Sequence, residues 1–197
     1  MAGAEGAAAD AAMERYAAGD ESAFANVYDA LAPRLYRYLL RKSREVQAAE
    51  DLLQQMFLQM HRSRGQFSRG AAVMPWAYAI ARRLFIDRIR RGQLELRIAA
   101  EHVSVAACSD EPPVNGILEA RQLAQRLAQE LSRLPAAHRA AFELVRQEGL
   151  SHAEAAQVLG TTIAAVKMRA HRAYAALHAA LGDRYPADTE SWNDSHR

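Results

Sequence analysis

Apolar residues in this chain recur every three or four positions and nowhere in strand-like alternation, which restricts it to packed helices. Leu52, Leu53, Met56, Phe57 and Met60 form an i, i+1, i+4, i+5, i+8 stripe, and Asp51, Gln54, Gln55 and Gln59 occupy the other side. From Asp20 onward, Phe24, Val27, Tyr28 and Leu31 share a face. Pro33 interrupts it and suits the first turn of a second helical piece carrying Leu35, Tyr38 and Leu39. Gly65 and Gly70 punctuate the loop over residues 64–70. Pro75 opens a further helix, expected to run to Arg91 with Trp76, Ile80, Leu84 and Ile89 toward the core. Residues 96–116 lose periodicity and contain Pro112-Pro113 and Asn115-Gly116, as an interdomain linker does. Beyond them Leu123, Leu127, Leu131 and Leu134 line one stripe. Pro135 then starts a helix carrying Ala141, Phe142 and Val145 that stops at Gly149. The predicted fold is all-α, with two small helical domains joined by a flexible linker. Its expected divisions are a flexible N-terminus (1–19), a first domain (20–95), the linker (96–116), a second domain (117–182) and a frayed tail (183–197).

With 197 residues, half of them apolar, the chain can bury a core in each domain. Cys108 is the single cysteine, so neither an internal disulfide nor a cysteine-rich zinc site is available, and the histidines do not form ligand pairs near carboxylates. No metal or cofactor is expected. No segment reaches the roughly 18–20 apolar residues of a membrane helix. The alanine-rich N-terminus contains Glu5 and Asp10 and lacks the basic start of a secretory signal. These features predict a cytoplasmic protein without membrane insertion. No nucleophile–base pair or phosphate-binding glycine loop supports an enzyme, so no catalytic residue is expected.

Charge points to a polyanion. The formal net charge is only +2, but residues 62–91 hold Arg62, Arg64, Arg69, Arg82, Arg83, Arg88, Arg90 and Arg91 against the single acid Asp87. Trp76, Tyr78 and Phe85 are interleaved with these arginines, and Phe67 lies just before. Such a pattern can stack bases and track phosphate on single-stranded DNA. Large aromatics at helical spacing are usually buried, so Trp76 is expected in the core. Residues 150–181 form two helical stretches hinged at Gly160, the outline of a helix-turn-helix. Ser151 and Glu154 make a capping box, Gly160 supplies the left-handed turn, and Thr161 or Thr162 caps the second helix. Ile163, Val166 and Ala170 recur inward, leaving Ala164, Ala165, Lys167, Met168, Arg169, His171 and Arg172 outward for phosphates and base edges. A helical hairpin with a solvated basic face would show the same pattern.

Three ordered segments then carry a resemblance. AAEDLLQQMFLQMHRSRGQF, PWAYAIARRLFIDRIRR and LPAAHRAAFELVRQEGLSHAEAAQVLGTTIAAVKMRAHRAYAAL together resemble a bacterial sigma-70 superfamily factor of the extracytoplasmic-function (ECF, group IV) branch, over roughly residues 20–181. The resemblance implies a first domain equivalent to sigma region 2 and a second equivalent to region 4. It implies that Asp51, Gln54, Gln55 and Leu58 dock on the β′ clamp helices of core RNA polymerase, with Gln55 standing where the family usually has Glu. Residues 64–74, with Phe67 and Ser68, match the loop that captures a flipped base of the minus-10 element, and extruding that base costs a few kcal/mol. Arg82, Arg83, Asp87, Arg90 and Arg91 match the helix facing minus-10 DNA, Arg83 replacing a common Asn. Thr162, Ala165, Lys167, Arg169, His171 and Arg172 match the minus-35 reading helix. Ala164-Ala165 stand there for the usual Gly-Thr, Met168 for Ser and Tyr174 for Arg. His138 and Arg139 fall where the β flap is approached. The implied partners are core RNA polymerase, promoter DNA and an anti-sigma factor. The alternative is a helix-turn-helix repressor or activator acting without polymerase, which leaves the Asp51 face and the arginine-rich helix unexplained.

Overall fold

The computed structural model describes residues 2–100 and 118–181, with side chains over 6–93 and 126–181. All regular structure among the described residues is helical. The chain divides into two compact units, Met1–Cys108 and Ser109–Arg197. Most of the expected linker (101–116), the tail 183–197 and the side chain of Leu123 lie outside the described residues.

In the first unit, α1 (Ala2–Ala17) leads through a 3-10 turn (Glu21–Ala23) into α2 (Phe24–Ser43), followed by α3 (Val46–Ser63), a second 3-10 turn (Arg64–Gln66) and α4 (Val73–Ala100). The flexible N-terminus expected for residues 1–19 is corrected by α1. Ala9, Ala12, Met13 and Tyr16 fall on one helical stripe and are buried against α2 and α4, and burying Met13 alone contributes about 1.5–3 kcal/mol. Sequence reading missed this because alanine carries little hydrophobic signal, although it is the strongest helix former. Asp20 caps the turn that follows, its carboxylate accepting from the Ser22 backbone N–H at 3.1 Å and from the Ser22 hydroxyl.

Pro33 does not divide α2 into two pieces. It removes one backbone donor from the helix interior, at a cost of about 3 kcal/mol, yet Val27 and Leu31 before it and Leu35 and Leu39 after it form one continuous buried stripe. Tertiary burial on both sides outweighs the missing bond, and the ring of Pro33 faces solvent. α3 buries Ala48, Ala49, Leu52, Met56, Phe57 and Met60, largely the expected stripe, with Leu53 half-buried. In α4 the expected core positions are displaced. Val73, Ala77, Tyr78 and Ala81 are buried, Trp76, Ile80 and Leu84 are half-buried, and Ile89 is exposed. Small Ala77 and Ala81 let α4 approach its neighbours closely, and Tyr78 packs edge-on to Tyr38 at 5.2 Å between ring centroids. The helix also continues past Arg91 to Ala100, into the start of the expected linker.

The second unit contains α5 (Leu118–Arg133), α6 (Ala136–Phe142), a π-turn (Glu143–Gln147), α7 (His152–Leu159) and α8 (Ile163–Leu181). Leu131, Phe142, Ala173, Tyr174 and Leu177 form a core cluster, with Leu127 and Leu134 packed against it. Pro135 precedes the first residue of α6, where its missing N–H costs nothing. The π-turn was not foreseen. It inserts one residue into the helical register, so Leu144 is fully buried while Val145, the expected core position, is half-buried.

Candidate nucleic-acid interfaces

α3 presents Asp51, Gln54, Gln55 and Leu58 at i, i+3, i+4, i+7, hence on one face. Gln54, Gln55 and Leu58 are exposed, Leu58 to 49%, and Asp51 is half-buried with its carboxylate accepting from Gln47 Nε2 at 3.2 Å. Beside this face runs an apolar cleft of about 560 Å³ lined by Tyr16, Phe24, Tyr28, Leu53, Phe57 and Leu58. Tyr28, which shares a face with Phe24, Val27 and Leu31, is 42% exposed and lies against Phe57 at 4.7 Å between centroids. Periodicity places Tyr28 on the inward edge of α2, and only the α2–α3 contact shows that its ring borders an open cleft.

The loop between α3 and α4 is held from both ends. Phe67 is half-buried with its ring 5.2 Å from that of Trp76, and Ser68 is exposed. Trp76 is thus neither deep core nor free: it supports the loop. Phe67, Trp76 and the exposed Ser68 lie next to the start of the arginine-rich helix. Two residues of α1 that sequence reading passed over for function complete the arrangement. The Asp10 carboxylate accepts from the Val73 N–H at 2.7 Å and so caps α4 from another helix, and Glu14 accepts from the Gly70 N–H at 2.6 Å. Gly70 holds φ +77°, a conformation that carries no Cβ penalty in glycine. The i, i+4 spacing of Asp10 and Glu14 was visible, but nothing local ties it to a loop some sixty positions away. Arg64 closes the other end, donating to the His61 carbonyl at 3.0 Å, lying over the Tyr16 ring and facing Glu21 at 3.6 Å. Burial raises the Tyr16 phenol above its ordinary pKa, with Arg64 opposing and Glu21 adding to the shift. The phenol stays neutral and hydrogen-bonds His61 Nδ1.

On α4, Trp76, Arg83, Asp87 and Arg90 follow i, i+7, i+11, i+14 and share the outward stripe, with Arg91 on its flank. Arg83, Arg90 and Arg91 are exposed. Asp87 lies 4.0 Å from Arg83, and its carbonyl accepts from Arg91 Nε at 3.3 Å. Such an exposed pair is worth at most about 0.5 kcal/mol, so it orients the guanidinium without committing it. Arg82 is half-buried and turned about 100° from Arg83; the structure does not bring it onto the same stripe. Tyr78, grouped with the stacking aromatics from sequence, is instead fully buried.

The helix-turn-helix is set by its own termini. Ser151 accepts from the Glu154 N–H while Glu154 accepts from the Ser151 N–H, a reciprocal capping box. Gly160 adopts φ +60°, and Thr162 Oγ1 accepts from the Ala165 N–H at 3.1 Å, fixing Thr162 as the cap of α8. Val166 and Ala170 are buried, but Ile163 is 45% exposed, the cap leaving it outside the packed turns. Lys167, Met168, His171 and Arg172 are exposed, and Ala165 and Arg169 are half-buried. Tyr174 departs from the expected reading face. It is 6% exposed, part of the core cluster, with Arg146 5.7 Å from its ring centroid. Tyr174 therefore contributes to packing and not to the outward surface. His138 and Arg139 are half-buried, Arg139 reaching the Ser132 carbonyl at 3.5 Å.

Among the described residues no group of three or more His, Cys, Asp and Glu side chains is gathered to hold a metal ion, and no helix is long and apolar enough to cross a membrane. Residues 27–95 match the family model for sigma-70 region 2, and residues 124–177 match that for sigma-70 region 4. RNA polymerase sigma factor CarQ of Myxococcus xanthus is 33% identical, the match covering 87% of this chain and 96% of CarQ. ECF RNA polymerase sigma factor SigM of Mycobacterium tuberculosis is also 33% identical, over 86% of this chain and 83% of SigM. Among solved structures, the sigma factor RpoE in complex with the anti-sigma factor NepR from Bartonella quintana matches with a TM-score of 0.64 and 25% identity, covering 80% of this chain and 96% of that one. CnrH in complex with the cytosolic domain of CnrY shares the fold, with a TM-score of 0.66 and 23% identity over 88% of this chain and 97% of that one. Two family models in the right order and relatives matched over nearly their full length place this chain in the sigma-70 family, among the ECF RNA polymerase sigma factors.

Proposed function

We propose that the chain binds core RNA polymerase through α3 and selects promoters through two separate DNA surfaces. Asp51, Gln54, Gln55 and Leu58 meet the β′ clamp helices, the exposed Leu58 and the adjoining aromatic cleft supplying apolar contact beside the polar groups. Phe67 and Ser68 in the braced loop receive an extruded minus-10 base, while Arg83, Arg90 and Arg91 follow the phosphates of the opened strand. Asp87 orients Arg83, and Arg82 supports the flank of the helix. In the second unit Thr162, Ala165, Lys167, Arg169, His171 and Arg172 face duplex minus-35 DNA, and His138 and Arg139 lie toward the β flap.

The observation that carries this reading is the outward stripe of α4 running from Trp76, with the Phe67 ring tilted against it, through Arg83 to Arg90. A duplex-binding repressor has no use for an aromatic-basic surface suited to single strands. Bond-making chemistry belongs to the polymerase, and this chain contributes no catalytic group. Its place of action is the cytoplasm, with the polymerase. The solved RpoE complex contains an anti-sigma factor, and we extend that mode of control to this chain, the α3 face with its apolar cleft being the surface such a regulator would occlude.

Size-exclusion chromatography with purified core polymerase tests the docking face. The wild-type chain is expected to co-elute, and Leu58→Asp, which puts a charge where an apolar contact is needed, is expected to lose co-elution while keeping its helical circular dichroism. Wild-type protein that never co-elutes overturns the proposal.

A further inference from the structure

α8 carries one feature that charge does not explain. Met168 is 53% exposed, one of the few large apolar side chains open to solvent among the described residues. At about 100° per residue it stands directly opposite the buried Val166, Ala170, Ala173 and Leu177. Ala164 lies one turn before it on the same stripe and is too small to cover it. His171 and Arg172 follow three and four residues later beside that stripe, and Lys167 and Arg169 project to its two flanks. Its axis is apolar and its borders are cationic. When a helix enters the major groove, the flanks meet the two phosphate walls and the outermost residue meets the base edges. A thioether has no hydrogen to donate and accepts only weakly, so it cannot read a guanine or adenine edge as Arg or Asn would. The single apolar group that base pairs display in the major groove is the thymine C5-methyl.

We propose that Met168 is a specificity-determining residue that reads a thymine methyl in the minus-35 element, an inference that rests on α8 being the minus-35 reading helix. The small side chains of Ala164 and Ala165 let the backbone approach closely enough for the thioether to cover the methyl group. Lys167, Arg169 and Arg172 supply affinity on the phosphates that is indifferent to sequence, so the preference for thymine at that base pair comes from Met168.

The test uses the full chain assembled with core RNA polymerase. A duplex library randomised across the minus-35 region is selected for binding, and each thymine of the enriched site is replaced singly by deoxyuridine, which removes only the methyl. One such replacement is expected to weaken wild-type binding about three- to fivefold, the size of one buried methyl contact. Met168→Ala is expected to bind the thymine and deoxyuridine duplexes equally. Arg172→Ala should weaken both while preserving their ratio, separating the methyl contact from charge. Because Met168 is exposed, its loss is not expected to change the melting temperature. An enriched site without thymine, one whose thymines all tolerate deoxyuridine, or a Met168→Ala protein that still discriminates would overturn the Met168 contact alone. A selection that enriches no minus-35 sequence would instead overturn the reading of α8 as a DNA-binding helix, and this inference with it.

Discussion

The two units build their DNA-facing surfaces in opposite ways. In the second, the devices that set the turn and the start of the reading helix are local: the Ser151–Glu154 box of α7, Gly160 and the Thr162 cap all act within four residues, while the buried face of α8 packs on α5 and α6. In the first, the loop that precedes α4 is fixed from far along the chain, by Asp10 on Val73, Glu14 on Gly70 and Tyr16 on His61. A surface made by local rules can be changed by one residue without disturbing the rest of its unit. One made by distant contacts depends on a helix, α1, that lies outside the proposed DNA surfaces.

The largest effect expected from breaking the local design is at Gly160. A β-branched Gly160→Val must adopt φ +60°, which costs about 1–3 kcal/mol. Nothing lies within 4 Å of the added Cβ, so the cost is conformational and not a clash. Thermal unfolding should show the loss, and amide exchange should place it in α7 and α8 while residues 6–93 keep their protection. The corresponding attack on the distant design is Asp10→Asn with Glu14→Gln, expected to cost about 1–2 kcal/mol from two weakened charge-assisted bonds. Here the Gly70 and Val73 amides should exchange faster, with α8 unchanged. Equal effects in both units would abolish the distinction.

Ser151→Ala comes next, at about 1 kcal/mol for a lost N-cap, confined to α7. Smallest is the response to acid at Asp20. The Ser22 hydroxyl holds the Asp20 carboxyl below its ordinary value, outweighing the opposing desolvation. A depressed folded pKa contributes stability that is fully present above the ordinary carboxylate range and is lost as pH falls through the lowered value. Asp20→Asn should flatten that part of the pH–melting profile slightly and leave the neutral-pH fold intact.

How much was legible in the sequence follows the same division. The helix-turn-helix, its capping box and its glycine hinge were readable because their signals are adjacent residues. The α3 stripe was readable because leucine, methionine and phenylalanine mark a buried face strongly. α1 was missed because its packing residues are mainly alanine. The exposure of Tyr28 and the burial of Tyr174 were not legible, since an aromatic at the edge of an amphipathic stripe can turn either way and the neighbouring helix decides. The division of α2 at Pro33 was wrong because the burial that offsets the proline comes from other helices. The one-residue shift at Leu144 followed from a π-turn, which leaves no periodic signature over so short a segment.

Permanganate footprinting of a promoter bound by core polymerase and this chain separates promoter opening from mere attachment to duplex, because it reports unpaired thymines. Reactive thymines are expected at the minus-10 element with core polymerase and wild-type chain together. A strong reduction is expected with Phe67→Ala or with Arg83→Ala and Arg90→Ala combined, and no reactivity with either component alone. Protection of the minus-35 duplex by the chain alone, without reactive minus-10 thymines when polymerase is added, would overturn promoter opening by this chain.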